Sequence, residues 1–453
     1  MMRRRQFIQG AVGTGPFLGR VLGANDRVAI AQIGLGERGY YELGLCLQNP
    51  GVDVVAVCDV YDPLVRQAVG KVGGKARGYR DFRQVLERRD IDGVFVSTPD
   101  HWHAPISILA CQAGKDVYCE KPLTHRIAEG RRMIEAARQY GRVVQTGSQQ
   151  RSAPHFAEAQ RLVQSGYIGK VSRVECWNFA NQYPDGCGNP PDEDPPPGLD
   201  WNFYLGPAPL VRYNRNRFIW HYRWFWDYSG GMMTDWGAHH MDSTHQIMNV
   251  DAPLSVSASG GKYVLRDNRQ TPDTLRAVFQ YPGFMVSYTN DIVSSHPTAN
   301  RRYGMMFCGT LGTLIIDRQS YEVIPEKYLG PREVGLDALL KSRGIQPPAE
   351  RPEAHGPAPV FSKPTSVKGI SLDPQIQIVH IQNWLDCIRS RKKTVADWET
   401  GHRSVTACHL GNIAFRTGRN IRWDARSETI IGDPEAARMM TKEYRAPWSL
   451  PAV

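Results

Sequence analysis

No uninterrupted run of about 18 apolar residues occurs beyond the N-terminus, which excludes a chain that crosses a membrane repeatedly. Closely spaced cysteine pairs are missing too. Cys46, Cys58, Cys111, Cys119, Cys176, Cys187, Cys308, Cys387 and Cys408 stand apart, several inside apolar runs such as Val54-Val55-Ala56-Val57-Cys58. They read as small buried hydrophobes and not as a disulfide frame. Compositional bias is equally absent. With 41% hydrophobic and 22% charged residues, the 453-residue chain is neither disordered, collagenous nor coiled-coil, and it holds two or three domains' worth of core.

Acidic residues are absent from the first 24 positions, while Arg3, Arg4, Arg5 and Arg20 lie there. Setting those four aside lowers the formal charge from +10 to +6, and the remainder is scattered, so no nucleic-acid partner is expected. The segment itself reads as an address. Arg4-Arg5-Gln6-Phe7-Ile8 precedes a mild, Gly-rich apolar run over 10–23 that ends in Leu22-Gly23-Ala24. That pattern resembles a twin-arginine export signal and predicts handling by the corresponding export machinery, a mature chain from about Asn25 and a periplasmic or otherwise exported protein.

From 25 to 149 the pattern alternates between strand and helix. Strands are predicted over 27–33, 52–57, 93–97, 116–119 and 143–146, with helices over 81–88, 104–113 and 127–140. Such alternation predicts a doubly wound parallel sheet. From 150 to 453 the texture changes to a helix over 154–165 and strands over 170–179, 252–260, 274–281, 285–290 and 313–316, interrupted by Pro-rich loops at 183–199 and 331–368. These predict an α+β domain with an open, mainly antiparallel sheet.

Three motifs carry chemistry. Gly34-Leu35-Gly36-Glu37-Arg38-Gly39 follows the first strand and opens a helix, the arrangement in which glycines admit a tight turn and a close pyrophosphate. Asp59 ends the second strand, where a carboxylate accepts ribose hydroxyls and repels the extra phosphate of NADP, so NAD is expected, with NADP as the alternative. Thr98-Pro99-Asp100-His101-Trp102-His103 and Cys119-Glu120-Lys121-Pro122 follow later strands at the same edge. In the third motif, Gly230 to Asp242, a helix would place Asp235, His239 and Asp242 on one face, with His240 turned away by about 100°. A histidine beside a carboxylate is an acid–base arrangement. His239, Asp242 and His245 are alternatively a metal stripe, but no ligand spacing elsewhere supports one and no metal is expected.

Taken together, G-x-G-x-x-G, Glu120-Lys121-Pro122 and Asp235 with His239 resemble the Gfo/Idh/MocA oxidoreductases. Asp227-Tyr228-Ser229-Gly230-Gly231 and Thr234-Asp235-Trp236-Gly237 are similar to its exported branch. The resemblance implies an N-terminal Rossmann domain, a second domain often used for homo-oligomerisation, and Lys121, Asp235 and His239 as the catalytic group. Expected cofactor contacts are Gly34, Gly36, Arg38, Gly39, Asp59, Thr98, His103, Glu120, Lys121 and Gln149.

Between 212 and 228, eight of 17 residues are aromatic, where a 10% average gives about two. They form either a carbohydrate-binding wall or a core, and the resemblance favours a sugar, polyol or glycoside substrate. Trp201, Arg223, Trp226, His240 and Asp242 are candidate substrate contacts. Export away from free NAD implies a tightly held cofactor. The expected activity is dehydrogenation of a CH–OH group, with a redox-neutral oxidation–elimination glycosidase and an inactive sugar-binding relative as the alternatives.

Overall fold

The computed structural model describes residues 27–326, 336–346, 367–370 and 373–453. The segment over 1–24, read above as an export signal, lies outside the described residues.

Six strands build the first sheet: β1 (Val28–Ile33), β2 (Val52–Cys58), β3 (Arg77–Tyr79), β4 (Gly93–Val96), β5 (Asp116–Cys119) and β6 (Val144–Thr146). They are all parallel and run in the order β3-β2-β1-β4-β5-β6, the doubly wound arrangement expected. β3 went unforeseen because it is a three-residue edge strand with two exposed positions.

Strand periodicity divides the sheet's side chains between two faces. Ala31, Ile33, Val94, Val96, Val117 and Cys119 pack on one side against helices Asp100–Gln112 and Ile127–Gln139. Val28, Ile30, Phe95 and Tyr118 point to the other, where helix Glu37–Cys46 covers one half. The other half is covered by helix Asp373–Ser390, which returns from far along the chain with Ile381, Trp384, Leu385 and Ile388. Trp384 lies edge-on to Phe95 at 4.9 Å, and a Cβ on Gly93 would stand 2.9 Å from its ring, so this strand position must stay glycine.

The second sheet has ten strands: β7 (Val171–Phe179), β8 (Ser255–Gly261), β9 (Thr274–Tyr281), β10 (Phe284–Asp291), β11 (Tyr303–Gly309), β12 (Gly312–Ile316), β13 (Ser320–Pro325), β14 (Val367–Ile370), β15 (Ile421–Asp424) and β16 (Thr429–Ile430). Their order is β14-β13-β12-β11-β7-β10-β9-β8-β15-β16, antiparallel apart from the β7–β10 pair. β9 alternates buried Leu275, Ala277, Phe279 and Tyr281 with exposed Arg276, Val278 and Gln280. The buried face receives Met233, Ala238, Met241 and Ile247 of helix Gly231–Met248, and Ala407, Leu410 and Ile413 of helix Trp398–Thr417.

Among the loops expected, 183–199 carries only isolated pairings, such as Glu193 with Tyr213. The stretch 331–368 includes helix Leu336–Ser342 and the start of β14, and its residues 331–335 and 347–366 lie outside the described ones. None of the nine cysteines forms a disulfide. Among the described residues, no helix is long and apolar enough to cross a membrane.

Candidate active site

A cleft of about 420 Å3 runs along the carboxyl edge of the parallel sheet and is closed by helix Gly231–Met248. One end is the glycine turn. Gly34 has φ +89°, and a Cβ there would lie 2.6 Å from the Ser97 backbone; a Cβ on Gly39 would strike the Gly34 carbonyl at 2.0 Å. Gly36 differs, because a Cβ there would meet no protein atom within 4 Å. The turn is therefore tight at its two ends and open in the middle, the cradle a pyrophosphate needs. The Asp59 carboxylate accepts hydrogen bonds from Leu35 N at 2.8 Å and Tyr61 N at 3.0 Å beside that opening. Burial raises it to about 6 despite those donors.

Buried Thr98 Oγ1 and Gln149 Oε1, both in residues lining the cleft, have no hydrogen-bond partner among the described residues. Open space at Gly36, a carboxylate at the ribose position and these unpaired polar atoms fit a dinucleotide. Arg38 is engaged, donating to Glu120 at 2.8 Å and lying 3.2 Å from Glu42. Burial opposes charge on Glu120, but Arg38 and Lys121 keep it ionised; burial and Glu120 push the Glu42 carboxyl up. His103 also faces the cleft with both nitrogens taken, at 2.8 Å from the Pro122 and Thr98 carbonyls. Two carbonyl acceptors require two N–H donors. Burial disfavours that cation, but the Cys119 sulfur, Asp100 and the Pro122 carbonyl outweigh it and raise His103 to about 10. Its bonds pin the Lys121–Pro122 turn, whose peptide is cis.

At the other end Lys121 Nζ meets Asp235 Oδ1 at 2.5 Å and the Asp235 carbonyl at 3.1 Å. Arg223 Nε approaches Asp235 Oδ2 at 3.4 Å. Burial works against the Asp235 charge, yet Lys121 and Arg223 hold it at about 2. Its oxygens are thus engaged by cations, and among the described residues no hydrogen bond joins Asp235 to His239. Instead, neither His239 nitrogen has a hydrogen-bond partner among the described residues. Burial, then Arg318 and Lys121, push His239 well below its ordinary range, so a neutral imidazole faces the cleft.

Only Arg223 of the five candidate substrate contacts lines the cleft. Asp242 shares the helix face of Asp235, but seven residues are about 10 Å of helix, which carries it past the cleft. There it pairs with Arg151 at 2.8 Å and accepts from Ser404 Oγ at 2.9 Å. His240 is rotated under Tyr303 and Tyr288, and burial lowers it to about 3. Trp201 stacks on Tyr204 at 5.0 Å and donates to the Val211 carbonyl. Trp226 lies under the Arg416 guanidinium, 5.0 Å from it. His245 turns to the Tyr281 hydroxyl at 2.7 Å, so the His239–Asp242–His245 stripe does not converge.

The aromatic segment divides. Tyr213, Trp224, Phe225 and Tyr228 form a local core, while Phe218, Trp220 and Tyr222 reach the cleft. Asp100 accepts from Ser229 Oγ at 2.5 Å and from the Tyr222 hydroxyl at 3.4 Å on the same wall. Asp100 and Tyr222 lay inside motifs read from the sequence without being singled out. Arg318, in the β12–β13 turn, carried no local signal.

The fold and this edge define an NAD-binding dehydrogenase-type Rossmann architecture. Residues 28–148 match the oxidoreductase family's NAD-binding Rossmann fold, and residues 155–272 and 365–450 match that family's C-terminal alpha/beta domain. The chain belongs to the Gfo/Idh/MocA oxidoreductase family. Inositol 2-dehydrogenase of Salmonella typhimurium is 34% identical over 125 residues, which cover 27% of this chain and 37% of that protein. A glycosyl hydrolase family 109 protein of Shewanella is 30% identical over 128 residues, covering 26% of this chain and 28% of that one. The chain thus spans less than half the length of these curated relatives. Among solved structures, the WlbA dehydrogenase of Bordetella pertussis in complex with NADH and UDP-GlcNAcA has a TM-score of 0.62 at 18% identity, covering 88% of this chain and 99% of that one. At that identity the likeness concerns the fold.

Proposed function

We propose that the protein is an NAD-dependent oxidoreductase acting on a CH–OH group of a sugar, polyol or glycoside. The observation that carries this reading is the meeting of Lys121, Asp235 and neutral His239 at one end of a cleft whose other end holds Gly36 and Asp59. A nicotinamide bound along the cleft supplies the hydride acceptor. His239 accepts the proton of the substrate hydroxyl through its unpartnered nitrogen. Lys121 donates to the same oxygen as negative charge grows on it, and Asp235 holds that ammonium aimed. Phe218, Trp220 and Tyr222 exclude water and offer faces to sugar C–H bonds.

Tight retention of NAD belongs to the same reading. The chain after β7 folds over the ribose position, with Asp62 N donating to Gly198 O and Asp200 N to Val60 O, each at 3.0 Å, and this cover slows escape. The twin-arginine-like start supports loading of cofactor before export. Exposed Val278, Met285 and Ile324 on the outer sheet support a homo-oligomer.

Purified protein should release stoichiometric NAD on denaturation and form NADH fluorescence with a polyol or sugar. Lys121→Ala and His239→Ala should keep the dinucleotide and lose turnover; full activity in either variant overturns the assignment. The match to a glycosyl hydrolase family 109 protein favours a second reading, oxidation–elimination, which predicts glycoside cleavage without net NADH.

A further inference from the structure

Besides His103, whose two N–H groups are taken by carbonyls and whose charge is met by buried Asp100, five cationic side chains line the cleft: Arg38, Arg80, Lys121, Arg223 and Arg318. Four have carboxylate partners, namely Glu120 for Arg38, Asp62 for Arg80, and Asp235 for both Lys121 and Arg223. Arg318 has none among the described residues. Its Nε donates to neutral Gln150 Oε1 at 3.3 Å, and its guanidinium lies 4.9 Å from the Trp236 ring centroid and 5.8 Å from that of Tyr303. The adjacent carboxylate, Asp317, is turned away and held by Arg301 at 2.8 Å and by the Gln319 and Ser320 amides. Glu322 across the hairpin also faces Arg301, at 3.2 Å.

Arg318 is therefore a half-buried, ring-supported guanidinium with no carboxylate partner among the described residues, and it lines the wall that Asp235 and His239 also line. Its positive charge is felt at both of them. A rigid fork of this kind matches a planar carboxylate with two parallel N–H···O bonds. Stacking fixes the fork in advance, so little side-chain freedom is lost when an anion arrives. One unmatched positive charge suits a ligand with one negative charge, whereas a phosphate would bring a second charge toward Asp235 and Asp100.

We propose that Arg318 is the specificity-determining residue for an acidic sugar, and that the substrate carries a carboxylate that docks on this guanidinium while its reacting hydroxyl meets Lys121 and His239. This rests on the reading of the cleft as a carbohydrate site. Its wild-type preference for acids over neutral sugars comes from a charge-assisted pair that the neutral sugars cannot make.

The test measures binding apart from turnover. The NAD-loaded full chain is titrated calorimetrically with D-glucuronate, D-galacturonate and D-gluconate, each against its neutral counterpart D-glucose, D-galactose or D-glucitol, and with D-glucose 6-phosphate. At least one acid should bind about ten- to a hundred-fold tighter than its counterpart. Arg318→Gln and Arg318→Met, checked for retained NAD and melting temperature, should bring that ratio to about one, and Arg318→Lys should restore part of it. Equal affinity of every acid and its neutral counterpart, a ratio that survives in Arg318→Met, or tightest binding of the phosphate overturns the inference. Acid-selective binding without NADH formation would sink the oxidoreductase reading and leave Arg318's role standing. Equal NADH formation from acids and neutral sugars would do the reverse.

Discussion

Lys121 and Asp235 are 114 residues apart in the chain and meet at 2.5 Å, which ties the end of β5 to the first turns of helix Gly231–Met248. The contact joins the two folding units across the cleft and leaves the ammonium with a fixed direction. Asp235→Asn removes the charge that anchors Lys121 and releases Arg223 from its one carboxylate partner among the described residues. We expect turnover to fall by about a hundred-fold with dinucleotide content unchanged, measured by NADH formation and by assay of NAD released on denaturation.

Gly34 and Gly36 stand two residues apart and should fail in opposite ways. Gly34→Ala needs φ +89° and sets a methyl 2.6 Å from backbone, so it should unfold the turn and cost several kcal/mol in denaturant titrations. Gly36→Ala has φ −60° and open space, so stability should change by less than about 0.5 kcal/mol. Its methyl occupies the phosphate approach, and NAD affinity should drop at least about ten-fold, read by calorimetry.

If Asp59 holds the ribose as proposed, NAD affinity should be pH-dependent. Burial raises the carboxyl from 3.8 to about 6, and the ionised form is the acceptor for ribose hydroxyls. Affinity should weaken as pH falls below about 6, and Asp59→Asn should remove that dependence. The sign for stability is opposite. With the folded value above the unfolded one, the empty protein binds the extra proton between 3.8 and about 6, so this group's contribution to stability declines as pH rises through that window. Melting curves of empty and NAD-loaded protein across the same pH range separate the two effects.

Lys442 is buried against Glu129 at 2.9 Å and lies 3.1 Å from His125 Nδ1, pinning the C-terminal strap to the helix Ile127–Gln139. Further along, Trp448 packs edge-on to Trp102 at 4.8 Å, on the helix that also carries Asp100 and His103. Lys442→Met removes the ammonium paired with buried Glu129, leaving it the Tyr444 hydroxyl and the His125 and Arg126 amides, and should lower unfolding free energy by about 3 kcal/mol. Lys442→Met with Glu129→Gln should cost less than the two singles summed, a coupling that a double-mutant cycle in urea detects.

The dinucleotide end of the site was legible because its parts are local. A strand, a glycine turn and a helix start occupy consecutive residues, and a Gly with positive φ or a carboxylate at a strand end has a sequence signature with few competing causes. The parallel sheet was legible for the same reason, since strands buried on both faces read as continuous apolar runs. Strands β3, β11, β13, β14, β15 and β16 were not, because most are short or mixed in polarity and all exist through their neighbours' hydrogen bonds.

Helix periodicity placed Asp235, His239 and Asp242 on one face, but a face has no end in sequence. Where the cleft stops, and hence why Asp242 belongs to Arg151, is set by how helix Gly231–Met248 lies across the β5 and β6 loops. The aromatic run between 212 and 228 announced burial without saying which rings would line a cavity. Arg318 had no signal at all, since its meaning lies in what it lacks, a carboxylate within reach. The sequence by itself determined the Rossmann unit and the glycine cradle, because these follow from short-range stereochemistry, while the candidate trio of Lys121, Asp235 and His239 came from the resemblance of its motifs to a family. Tertiary structure decided which cations are neutralised, which histidine nitrogens are free and which aromatics face the cleft, because charge pairing and burial depend on residues brought together across more than a hundred positions.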